Sequence, residues 1–215
     1  MIVTEKKPFQ ELLVSLGGLN KVFLVGCGEC ATTCKTGGSA QIDELKRLLE
    51  AESKTVVGSC LPSAPCIAAQ VKKGLAIHMQ ELRQADCVLV LACGLGVQSV
   101  KENLRLDKEV LPALNTICSA VVDAAGNFFE KCSMCADCLL GITCGICPLT
   151  LCPKGLLNGP CGGMDKGRCE VDKERDCAWV LIYKEMEKRR NVQALKQIVA
   201  PKDFQKCIKP HRIIG

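Results

Sequence analysis

Eighteen of the 215 residues are cysteine, and no other feature constrains the chain as strongly. Such a density implies either a disulfide scaffold or a metal protein. Compartment separates the two, because thiols stay reduced in the cytosol. Met1 to Pro8 has no apolar signal core and no small-residue cleavage site. The longest apolar run, Cys87 to Val97, falls short of the roughly 20 residues that span a bilayer. The expectation is a cytoplasmic chain with no membrane span, whose cysteines bind metal.

Charge adds little. The formal net charge of +5 treats every thiol as neutral, and metal-bound thiolates would cancel much of it. One Trp and one Tyr give few stacking platforms for bases, so nucleic acid is not an expected partner. Aromatics are only 3% of the chain, so the core must be built from Leu, Val, Ile and Ala.

Periodicity divides the chain in two. Pro8 to Leu16 reads as a helix closed by Gly17 and Gly18. Lys21–Val25, Thr55–Gly58 and Cys87–Ala92 read as strands, the last most clearly. Helices are expected from Ser39, as N-cap, to Leu49, through Ile67 to Leu82 with a break near Gly74, and from Val97 to Leu104. Alternating strands and helices predict a small parallel α/β sheet over 1–125. From Cys132 to Cys177 the chain is dense in Cys, Gly and Pro, a segment for bound metal to organise. A helix with Trp179, Ile182, Tyr183 and Met186 on one face is expected to run to about Val199. The second domain is thus 126–215, a loop-rich ferredoxin-like cluster domain with a C-terminal helix.

The cysteine block opens with Cys132, Cys135 and Cys138 at two-residue gaps, the spacing that wraps a chain around an iron–sulfur cube. Cys147 precedes a proline, and Cys152, Cys161, Cys169 and Cys177 follow. These eight thiolates are the ligand set for two [4Fe-4S] clusters, and Cys144 is spare. Structural zinc is the alternative occupant, although zinc sites more often show two clean Cys-x-x-Cys pairs.

The triplet, Gly145-Ile-Cys-Pro148, the string Leu156-Leu-Asn-Gly-Pro-Cys-Gly-Gly163, Gly167-Arg-Cys-Glu-Val171 and Cys177-Ala-Trp179 together resemble the methylenetetrahydrofolate reductase C-terminal-like family, the MetV-type small subunit. Members usually carry Gly at the position of Cys144. The resemblance extends to Gly26–Gly38 and Cys93–Gln98. It implies an iron–sulfur electron-transfer subunit for a flavin-containing methylenetetrahydrofolate reductase catalytic subunit, with a ferredoxin or heterodisulfide-reductase-like donor. A zinc-stabilised scaffold of the same complex is the alternative.

The N-terminal set is Cys27, Cys30 and Cys34, in a loop directly after a strand. The same residues match a Gly-x-Gly-x-x-Ala dinucleotide fingerprint, but two cysteines fill its variable positions. A third cluster is the preferred reading. Its fourth ligand is Cys93, at the carboxyl end of the third expected strand, with Cys66 as rival and Cys60 third. Cys87 reads as a core residue. The only histidines are His78 and His211, and no catalytic constellation is evident. The chain is also too short for the barrel of about 250 residues that houses flavin and folate in the related catalytic subunit.

Overall fold

The computed structural model describes residues 1–211 and 213; the end of the second expected domain, at 215, lies outside them. The chain divides into two compact units between Cys118 and Ser119.

The first unit runs β1 (Ile2–Lys6), α1 (Phe9–Leu16), β2 (Lys21–Val25), α2 (Cys30–Thr33), α3 (Ser39–Ala51), β3 (Thr55–Cys60), α4 (Ala68–Ile77), α5 (Met79–Gln84), β4 (Cys87–Val90), α6 (Gly94–Asn103) and β5 (Glu109–Pro112). Strand β6 (Leu114–Val122) passes through the division. Four strands form a parallel sheet in the order β3-β2-β4-β5. The central strands β2 and β4 are apolar at nearly every position because helices cover both faces, as parallel sheets require. Phe23, Leu24, Val88 and Leu89 are wholly buried there. Cys87 is a core residue at the start of β4.

Register sets the functional edge. Val25 pairs with Cys60 on one side and with Val90 on the other. The three strands therefore end level, and the loops after them open on one edge. The strand order reverses across β2, and such reversals in parallel sheets create a crevice at the carboxyl ends.

Three expectations about helices change. The break falls at His78, not near Gly74. Gly74 is a packing glycine, for a Cβ there would stand 3.1 Å from Pro62 Cγ. Gly38, not Ser39, is the N-cap of α3, and its N–H donates to Gln41 Oε1. The glycine pair after β4 opens α6 at Gly94, three residues earlier than periodicity suggests.

In the second unit, β7 (Phe128–Cys132) pairs antiparallel with β6, Val122 opposite Phe128. Little regular structure follows, apart from α7 (Pro148–Leu151) and α8 (Ala178–Lys188). Helix α8 ends well before Val199. Arg190 takes a left-handed φ of 55°, and Asn191 N–H returns to Met186 O at 2.9 Å. That closure is a Schellman turn with arginine where glycine is usual. Trp179, Ile182 and Met186 are buried on α8, whereas Tyr183, expected on the same face, is 44% exposed. Trp179 Nε1–H donates to Leu156 O at 2.9 Å, so its polar edge is satisfied inside the unit.

Candidate metal centres

No disulfide links any of the described cysteines. Their placement follows from the loops that carry them.

The first group lies at the carboxyl edge of the parallel sheet. Cys27 follows β2, Cys30 opens α2, Cys66 lies after β3 and Cys93 is the N-cap of α6. Backbone and side-chain contacts hold these three loops together. Gly28 N–H donates to Pro62 O at 2.9 Å, and Ser63 Oγ donates to Glu29 Oε1 at 2.9 Å. Gly96 sits against Pro65, where a Cβ would come within 3.2 Å of Pro65 Cγ. Cys27 N–H donates to Gly37 O at 3.0 Å. Gly37 is indispensable to that contact, because a Cβ would stand 2.0 Å from Leu91 O.

Cys66 senses the others. Its thiol is pushed above the ordinary value by burial first, then by the neighbouring Cys93, with Cys27 and Cys30 adding in the same direction. Thiols that repel one another's ionisation share a space, which a cation or an iron–sulfur core would relieve. Cys34 points elsewhere: its Sγ donates to Ile2 O at 3.7 Å. Cys60 is buried at the end of β3, and burial pushes its thiol up to about 12.

The second group surrounds a small cavity in the second unit. Cys152, Cys161, Cys169 and Cys177 all line it. Cys177 is the N-cap of α8, so the positive end of that helix lies at the site. Cys177 N–H donates to Gly167 O and Cys169 N–H to Arg175 O, which fixes both residues by their backbones. Cys161 Sγ lies 3.2 Å from Glu170 Oε2, and the same carboxylate pairs with Lys154. Gly163 admits that carboxylate, since a Cβ would collide with it.

The remaining four are Cys132, Cys135, Cys138 and Cys147. Met134 and Ala136, between the first three, both have left-handed φ values, 53° and 58°. Such conformations are costly for residues with a Cβ and gather at ligand sites. Met134 N–H points at Cys132 Sγ, 3.4 Å away. The Cys135 thiol is pulled below its ordinary value, chiefly by a backbone hydrogen bond at Asp137 and then by the Lys202 ammonium. Cys147 is the N-cap of α7. Cys144 packs on the apolar cluster of Trp179, Ile182 and Met186.

Among the described residues, no three His, Cys, Asp or Glu side chains come together in the arrangement of a single bound metal ion. The chemistry of the donors nonetheless fits a thiolate-bound group. Four cysteines line one cavity, and Thr150 Oγ1, on α7 between Cys147 and Cys152, is buried without a hydrogen-bond partner. A buried hydroxyl in that state needs an acceptor.

Sequence reasoning missed Lys154, Glu170, Thr150 and Lys202. The first two stand within two residues of a cysteine, which is a usable signal. Lys202 offers none, because it meets Asp137 across 65 residues of chain.

Residues 111–205 match the family described as methylene-tetrahydrofolate reductase C terminal. No curated protein and no solved structure matches the chain. No helix among the described residues is long and apolar enough to cross a membrane.

Proposed function

We propose that this chain is the electron-transfer subunit of a methylenetetrahydrofolate reductase, a reading supported by the match of residues 111–205 to the family described as methylene-tetrahydrofolate reductase C terminal. The observation that carries the reading is the cavity lined by Cys152, Cys161, Cys169 and Cys177 inside the matched segment. Those four thiolates would hold one [4Fe-4S] cluster, and Cys132, Cys135, Cys138 and Cys147 a second. Cys27, Cys30, Cys66 and Cys93 would hold a third, while the Cys34 thiol donates to Ile2 O. A bound [4Fe-4S] cluster accepts and returns a single electron.

The chain's own residues do the rest. Cys177 is buried and places one ligand at the positive end of α8, where an anionic centre is stabilised. Trp179 lines the same cavity and gives it an apolar wall. The N–H of Met134 is already aimed at a ligand sulfur, and hydrogen bonds of that kind tune a thiolate centre. The left-handed turns at Met134 and Ala136 fold the chain tightly between Cys132, Cys135 and Cys138.

The partner in this reading is the flavin-containing catalytic subunit, which carries the folate chemistry. A ferredoxin or heterodisulfide-reductase-like protein would supply electrons.

The test is iron, sulfide and zinc per chain, on protein purified without oxygen, with visible spectra before and after dithionite. About twelve irons and bleaching on reduction support three clusters, four irons each. Zinc without sulfide overturns the electron-transfer reading and supports a zinc-held scaffold.

A further inference from the structure

Lys202 is the least expected charge in the second unit. It lies on an irregular segment after α8, and its side chain is only 3% exposed. Its ammonium donates to the Asp137 backbone oxygen, two residues beyond Cys135, and its charge helps to hold the Cys135 thiol below the ordinary value. The nearest carboxylate oxygen, Asp137 Oδ2, is 3.8 Å away and stands 3.5 Å from Lys206 Nζ as well.

A buried ammonium costs several kcal/mol unless opposite charge compensates it. One carbonyl and a half-exposed carboxylate shared with a second lysine compensate poorly. The imbalance lies within the Cys-x-x-Cys-x-x-Cys loop, and a thiolate-bound anionic centre would remove it. Lys154, at the other C-terminal cysteine set, differs. It is exposed and directly paired with Glu170, so its charge is already cancelled.

Resting on the cluster reading above, we propose that Lys202 is a positioning residue that raises the reduction potential of the iron–sulfur centre held by Cys132, Cys135, Cys138 and Cys147. The reduced centre carries one more negative charge than the oxidised one. A fixed cation, buried itself and held on the cysteine loop at Asp137 O, therefore favours the reduced state, and its burial limits screening by solvent. Asp137 opposes it, with its carboxylate on the same loop.

The experiment is a potentiometric titration followed by electron paramagnetic resonance, on the full chain purified without oxygen, with iron and sulfide assayed in the same samples. Lys202→Met is expected to keep its iron and to lower one midpoint, changing the oxidised-to-reduced ratio at fixed potential about tenfold, or 59 mV for a one-electron couple. Lys202→Arg keeps the charge and restores the midpoint. Asp137→Asn shifts the same midpoint upward. If Lys202→Met loses its iron, Lys202→Gln, which removes the charge but keeps a hydrogen-bond donor, is titrated in its place: a midpoint below the parent's supports the proposal, and an unchanged one overturns it. Fully loaded variants whose midpoints all stay in place overturn the role of Lys202 and leave the cluster reading standing. A parent chain without iron and sulfide overturns the cluster reading, and the role of Lys202 with it.

Discussion

Ser63 Oγ donates a 2.9 Å hydrogen bond to Glu29 Oε1, and this contact ties the loop bearing Cys66 to the loop bearing Cys27 and Cys30. Both partners are exposed, so the bond contributes about 1 kcal/mol or less to stability. Its consequence is for the site. Glu29→Ala is expected to leave the melting temperature nearly unchanged but to speed metal loss from the N-terminal cysteines about tenfold, as removal of outer-shell partners does. Release to a chelator, followed by absorbance, checks this. Equal release rates would show that the loops hold together without the bond.

Gly37 and Gly18 form a matched pair. A Cβ on Gly37 would stand 2.0 Å from the backbone oxygen of Leu91, and a carbonyl in a buried chain has nowhere to go. Gly37→Ala is expected to destabilise the chain by about 3 kcal/mol or to prevent folding, through overpacking. At Gly18 an added Cβ meets nothing within 4 Å, and Gly18→Ala should change stability by no more than about 0.5 kcal/mol. Urea denaturation of both variants is the measurement.

Burial sets the alkaline limit of the fold. It pushes the thiol of Cys60 up to about 12 and that of Cys87 up to about 11 from an ordinary value of 9.0. Between those values the unfolded chain loses these protons while the folded chain keeps them. Stability from these thiols is thus complete below pH 9.0 and is lost as pH rises through 11 and 12. A Cys60→Ala, Cys87→Ala double variant should show a shallower decline between pH 9.0 and 11 than the parent chain. Chemical denaturation at stepped pH compares the slopes, and titration of other groups cancels between the two proteins.

Much of this architecture is legible in the sequence where one physical cause dominates. Lys21–Val25 and Cys87–Val90 stand out as apolar runs because helices cover both faces of the sheet they build. Strands β1, β5 and β7 do not, because their side chains are mostly half-buried or exposed and leave no apolar run. The end of α8 was obscured for another reason: Arg190, not a glycine, adopts the left-handed turn. At the candidate centres, spacing shows which cysteines are ligand candidates. Their grouping depends on which loops meet, so Cys66 and Cys93 read as rivals although Cys66 feels Cys93 as well as Cys27 and Cys30. Lys202 was beyond reach, since nothing local marks a lysine that folds back onto a loop 65 residues earlier.

Helix α8 links packing to the placement of a candidate ligand, since it begins one residue after Cys177. Ile182 is wholly buried on it, between Trp179 and Met186. Ile182→Ala removes three buried carbons and should cost about 2–5 kcal/mol. Trp179 is the only tryptophan and is buried against this cluster, so its fluorescence reports on the same packing. The variant is expected to show red-shifted emission in native buffer and a lower urea midpoint by the same signal. It should also lose metal faster from the cavity that Cys177 and Trp179 line. Unchanged emission together with unchanged metal release would mean that α8 holds Cys177 through its backbone alone, by way of the Cys177 N–H to Gly167 O bond.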